Sequence, residues 1–228
     1  MPPPQPVIAP AAPAAPLPSA PSPGTTGTPA SRRLLAPEED ARPLTLWGSS
    51  SMSSEGGADA TPLAVRIHEH LALAAAPAVV HGFGVGATRS EHTLLMRGLD
   101  TPQLRLLGEP AAGTGQVAVD LDSGLSPVGT LRIPGDLAGA PGVLDGTGGS
   151  WTFIPDDPDQ PLTDGLFRSS LAAVAEGSRQ VLWMGKNNIL DVSGVLEDTQ
   201  RMWDAAADPA QDTLVLGQWP TPHDPVGS

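Results

Sequence analysis

Four short apolar runs set the framework of this chain. They cover residues 44–47 (Leu-Thr-Leu-Trp), 78–81 (Ala-Val-Val-His), 179–184 (Arg-Gln-Val-Leu-Trp-Met) and 212–216 (Asp-Thr-Leu-Val-Leu). Each is of strand length, and the first three run into glycine and polar residues. Between the first two, Leu63, Ile67, Leu71 and Ala74 recur at helical spacing, which predicts a helix with one apolar stripe. Thr61-Pro62 suits its start, with Thr as cap and Pro in the first turn, and Pro77 closes it. Further helices are predicted over 90–96, 166–175 and 195–207, the last of them acidic and amphipathic. Strand, helix and strand in alternation predict a parallel sheet.

The stretch from 104 to about 155 has a different pattern. Residues 117–122, 129–133 and 150–154 read as short strands separated by Gly- and Pro-rich turns such as Asp145-Gly146-Thr147-Gly148-Gly149. This predicts a small β-rich insertion, and the whole of 42–228 then forms one α/β domain.

Composition changes the picture at the N-terminus. Nearly half of the 27 prolines precede Leu44, in a stretch without an aromatic residue. Such a segment buries too little apolar surface to offset chain entropy, so 1–41 is expected to be a disordered linker leaning to polyproline II. The net charge of -13 argues against a nucleic-acid partner, because phosphate backbones are bound by clustered Lys and Arg. There is no cysteine, hence no disulfide framework or thiolate zinc site. No apolar run reaches membrane-span length, and no basic segment followed by an apolar core marks a signal peptide.

Three strand-to-glycine junctions carry the candidate chemistry: Trp47-Gly48-Ser49-Ser50-Ser51, His81-Gly82-Phe83-Gly84-Val85-Gly86-Ala87-Thr88 and Trp183-Met184-Gly185-Lys186-Asn187-Asn188. Parallel α/β sheets bind ligands outside the carboxyl ends of their strands, and an Asn amide is an uncharged donor suited to a developing oxyanion. Other motifs are weaker. His68 and His70 lie two residues apart on the predicted helix and point to different faces, unlike a metal-binding i, i+4 pair. Asp120/Asp122 and Asp156-Asp157-Pro158-Asp159 lack a full calcium-loop spacing. The 82–86 glycines lack the G-K-[ST] ending of a phosphate loop. No cofactor or metal is expected.

Together the three junctions resemble those of the SGNH, or GDSL-type, esterase/lipase family. The resemblance implies a flavodoxin-like three-layer α/β/α sandwich and a serine hydrolase acting on ester or O-acyl bonds of an acylated small molecule or carbohydrate. It implies Ser50 as nucleophile, with Gly86 and Asn187 in the oxyanion hole and the β-insertion lining the acceptor side. Ser49 stands where the family has Asp before the nucleophile, and Asn188 where it has Asp after the oxyanion Asn. The family's closing Asp-x-x-His, which supplies the base and its orienter, has no match: His223 is preceded three residues earlier by Pro220. The resemblance therefore places that block beyond residue 228 and implies that these 228 residues alone are nearly silent, with an exposed strand edge near 213–216. The alternative is a non-catalytic binding or structural module of the same fold, on a phage or cell-surface particle. The hydrolase fold predicts burial of Trp47, Trp151, Trp183 and Leu214.

Overall fold

The computed structural model describes residues 42–53, 61–74 and 76–217; the linker expectation for 1–41 and His223 lie outside them. In chain order the strands are β1 (Leu44–Gly48), β2 (Val80–Gly84), β3 (Gln103–Leu106), β4 (Val117–Leu121), β5 (Arg132–Leu137), β6 (Ala140–Asp145), β7 (Thr152–Pro155), β8 (Gly165–Ser169), β9 (Arg179–Trp183) and β10 (Thr213–Val215). The helices are α1 (Ser50–Ser53), α2 (Leu63–Leu73), α3 (Ser90–Arg97), α4 (Leu171–Ala175), α5 (Val192–Asp204) and α6 (Pro209–Asp212), with a 3-10 turn over Lys186–Asn188.

The four strands at the chain's two ends form the expected parallel sheet, in the order β10-β9-β1-β2. Gly48 lies level with Gly84 on one side and Trp183 on the other. As a central strand β1 is almost entirely buried. Trp47 stacks on Phe83 with ring centroids 4.3 Å apart. With its register partner Leu182 it joins Leu94, Leu95 and Met96 of α3 and Met202 of α5 in the core. A bidentate ion pair from Arg42 to Asp212, at 2.5 and 2.6 Å, ties the start of β1 to the residue before β10.

The flavodoxin-like three-layer sandwich does not hold. Six of the ten strands leave the sheet and close into an antiparallel barrel of order β3-β4-β7-β6-β5-β8. What reads as a small insertion over 104–155 is in fact the larger β-structure, and it runs on to Ser169. Its interior follows the period of two that strands impose: Val117, Val119 and Leu121 of β4, Ile133 and Leu137 of β5, Leu144 of β6, Phe153 of β7 and Phe167 of β8 are buried. Phe153 and Phe167 meet edge to face at 6.5 Å, so packed side chains fill the barrel.

Local departures have local causes. The helix expected over 166–175 is α4 only from Leu171; before it, Leu166 and Arg168 face out while Phe167 and Ser169 face in, a strand alternation that begins at Gly165. The β5–β6 hairpin turns on Ala138 and Gly139, both at positive φ (50° and 94°), the geometry of a tight hairpin turn normally signalled by Asn-Gly or Asp-Gly. The cap of α2 is Pro62, not Thr61: Pro62 O accepts from Val65 N and Arg66 N. None of the residues of α2 is fully buried. Trp47 and Trp151 are buried as expected and Trp183 half-buried, but Leu214, on the edge strand β10, is 56% exposed.

Phe153 offers the direct test of the barrel core. Phe153→Ala should lower unfolding stability by about 3–5 kcal/mol, the usual cost of emptying a well-packed aromatic site. Urea denaturation followed by Trp fluorescence measures it.

Candidate active site at the carboxyl ends of the parallel strands

From β1 the chain passes to β2 on one side, and after the barrel it returns to β9 on the other. The loops leaving β1 and β9 therefore diverge, and such a reversal opens a crevice at the carboxyl edge of a parallel sheet. All three junctions singled out in the sequence end at this edge.

The first junction is held by a close approach. A Cβ on Gly48 would lie 2.2 Å from Trp183 O, so only glycine lets the end of β1 sit against that of β9. The chain then turns into α1. Ser49 is buried, 1% exposed, with its hydroxyl unpartnered, so its hydroxyl cannot meet a substrate. Ser50 is half-buried and opens α1. Ser49 O accepts from Met52 N at 2.9 Å and Ser53 N at 3.2 Å, and Ser53 Oγ donates to Ser50 O at 3.0 Å.

The second junction folds onto the first. Val85 N donates to Gly48 O at 3.3 Å, and the buried Thr88 hydroxyl donates to Val85 O at 2.8 Å and Gly48 O at 3.2 Å. Gly86 sits half-buried within this loop. On its other side the barrel closes in: a Cβ on Gly129 would stand 2.6 Å from Gly86 O.

The third junction starts at Gly185, which adopts φ 87°, and continues as the 3-10 turn. Asn187 is exposed and donates from Nδ2 to Thr88 O at 2.8 Å. That bond uses one of the two amide hydrogens. Asn188 is buried. Its Oδ1 accepts from Ser90 N at 3.3 Å, and its Nδ2 donates to Ser90 Oγ at 2.9 Å and to Glu91 Oε2 at 3.3 Å. The loops bearing Ser50, Gly86 and Asn187 thus meet through Gly48 O and Thr88.

Two polar groups nearby have no signal in the sequence beyond their residue type. Asp198, on α5, accepts from Ser90 Oγ at 2.5 Å. Burial raises its pKa and the Ser90 hydrogen bond opposes the rise; Glu91 and Asp100 add to it, and Arg201 counters them. His92, on α3, is 1% exposed. Its Nδ1 accepts from Arg89 N at 3.2 Å, so Nε2 carries the proton and donates to Ser126 O at 2.8 Å. This imidazole joins α3 to the barrel at the edge of a cavity of about 530 Å³, which Arg89, Glu91, Leu95, Asp122 and Val128 also line.

His68, Glu69 and His70 are all exposed on α2. Among the described residues, no group of three or more His, Asp or Glu is arranged to hold a metal ion, and no helix is long and apolar enough to cross a membrane. No protein-family model matches the chain, and neither the curated proteins nor the solved structures contain a match.

Burial holds the His92 pKa below its ordinary value of 6.5, against the Ser126 hydrogen bond and Glu91, which raise it. The unfolded chain therefore takes up the proton first as pH falls. The His92 contribution to stability is complete above the unfolded value and is lost below it, down to the folded pKa. The stability gap between wild type and His92→Gln, measured by urea unfolding, should narrow as pH falls through the unfolded value of 6.5.

Proposed function

We propose that this chain is a serine hydrolase of ester or O-acyl bonds, working in the manner its junctions suggest by their resemblance to SGNH hydrolases. The observation that carries this reading is the meeting of the Ser50, Gly86 and Asn187 loops at the reversal point of the parallel sheet, tied together through Gly48 O and Thr88. In this reading Ser50 Oγ attacks the substrate carbonyl carbon and the carbonyl oxygen takes on negative charge. The Ser50 and Gly86 backbone N–H groups and the second Asn187 amide hydrogen stabilise that oxyanion, the contribution that dominates many acyl transfers. The acyl group passes to Ser50 as the alcohol departs, and water then releases it. The substrate class is an acylated small molecule or carbohydrate, with the barrel on the acceptor side.

Ser50 needs a base to take its proton. The SGNH resemblance gives that role to an Asp-x-x-His pair, which residues 42–217 do not contain. No hydrogen bond joins Ser50 to His68, His70, His81 or His92. This observation favours a second reading, a module that binds an ester or glycan at the same crevice without turning it over.

A fluorophosphonate probe separates the two. The hydrolase reading expects labelling that Ser50→Ala abolishes, and hydrolysis of p-nitrophenyl acetate whose kcat drops roughly 100- to 1000-fold in Asn187→Ala, the usual cost of losing one oxyanion donor. Labelling that persists in Ser50→Ala would move the nucleophile elsewhere. Saturable ligand binding without labelling would establish the binding module.

A further inference from the structure

Beneath the three junctions lies a layer of buried polar side chains that the ester chemistry does not use. Ser90 is wholly buried at the start of α3. Its hydroxyl donates to Asp198 Oδ2 at 2.5 Å and accepts from Asn188 Nδ2 at 2.9 Å. Its backbone N–H donates to Asn188 Oδ1 at 3.3 Å. Three elements meet here: α3, the turn after β9 and α5.

The network has a direction. The Asp198 carboxylate only accepts, so it fixes the Ser90 hydrogen toward α5 and leaves the oxygen lone pairs for Asn188. That orients the Asn188 amide. Flipped, Asn188 would set its NH2 against the Ser90 N–H and its oxygen against a hydroxyl whose hydrogen is already committed. A buried carboxylate is costly unless it is well bonded. The nearest cation, Arg201, stands 4.0 Å away and bonds Asp100 at 2.5 Å. The Ser90 hydroxyl is therefore the closest partner of Asp198.

Position along the chain gives this arrangement its meaning. Asn188 follows Asn187, and Ser90 lies two residues after Thr88, whose carbonyl takes the Asn187 amide. The buried layer thus grips both ends of the Asn187–Thr88 bond, the donor side through Asn188 and the acceptor side through Ser90. We infer that Ser90 and Asp198 are positioning residues for Asn187, holding its free amide hydrogen toward the crevice, an inference that rests on the oxyanion reading of Asn187. Neither touches the reacting atoms.

Two readouts test it in the full chain: the side-chain amide NMR signals of Asn187 and Asn188, and kcat against KM for Ser50-dependent p-nitrophenyl acetate hydrolysis. Ser90→Ala should shift and broaden the Asn187 amide signal and lower kcat by about tenfold or more, with KM within about twofold, since small misplacements of a catalytic donor are expensive. Asp198→Asn keeps an acceptor for the Ser90 hydroxyl and should retain the Asn187 signal and most of the rate. An unmoved Asn187 signal and an unchanged rate in Ser90→Ala, with only a lowered Tm, would overturn the inference and leave the network as a brace between α3 and α5. If wild type shows no Ser50-dependent hydrolysis, the functional reading falls, and the Asn187 signal by itself supports or overturns the positioning role.

Discussion

One side chain, Thr88, holds the crevice together. Its hydroxyl reaches back to the carbonyl that ends β1, and its own carbonyl receives the amide of Asn187 beyond β9. Those two bonds join the loops after β1, β2 and β9, alongside the Val85 N–Gly48 O bond and the Asn188–Ser90 pair. With them they form one unit, and Thr88 is buried so that water does not compete for its partners. The tight approach of Gly48 to Trp183 O does the same with van der Waals contact: it removes the gap that a side chain would otherwise wedge between the strand ends.

The periodic elements were legible in the sequence. The four sheet strands lie within three residues of their apolar runs, and α2, α3 and most of α5 appear where a helical period recurs. The barrel leaves a weaker trace in the sequence for a physical reason. Pro134, Gly135, Pro141 and Gly142 sit within paired strands, although such residues ordinarily mark turns; the Ala138-Gly139 turn lacks the usual residue signal, and Phe167 sits in an apolar run too short to distinguish strand from helix. The site divides the same way. Ser50, Gly86 and Asn187 stand at strand ends, which local pattern locates. Ser90, Asp198 and His92 make their hydrogen bonds to partners 34 to 108 residues away, and no local pattern encodes such distances.

Helix α3 is where the two β-structures meet. Its start is bound to the Asn188 turn and to α5 through Ser90, its His92 reaches the barrel, and Leu94, Leu95 and Met96 fill the core common to both. At its far end Ser169 Oγ donates to Met96 O at 2.6 Å, which anchors the last barrel strand to the same helix. A change in the packing of α3 therefore reaches the crevice and the barrel together.

The barrel leaves the chain where it entered. Its first and last strands are paired neighbours, with Gln103 level with Leu166 and Leu104 with Gly165, so the segments that enter and leave the insertion run side by side. An insertion with adjoining ends can be gained, lost or exchanged in a single genetic step without moving the strands on either side of it. The strands of the parallel sheet on either side need not move to accommodate it, and α3, whose residues are all buried or half-buried, is the seam along which the two β-structures share their core.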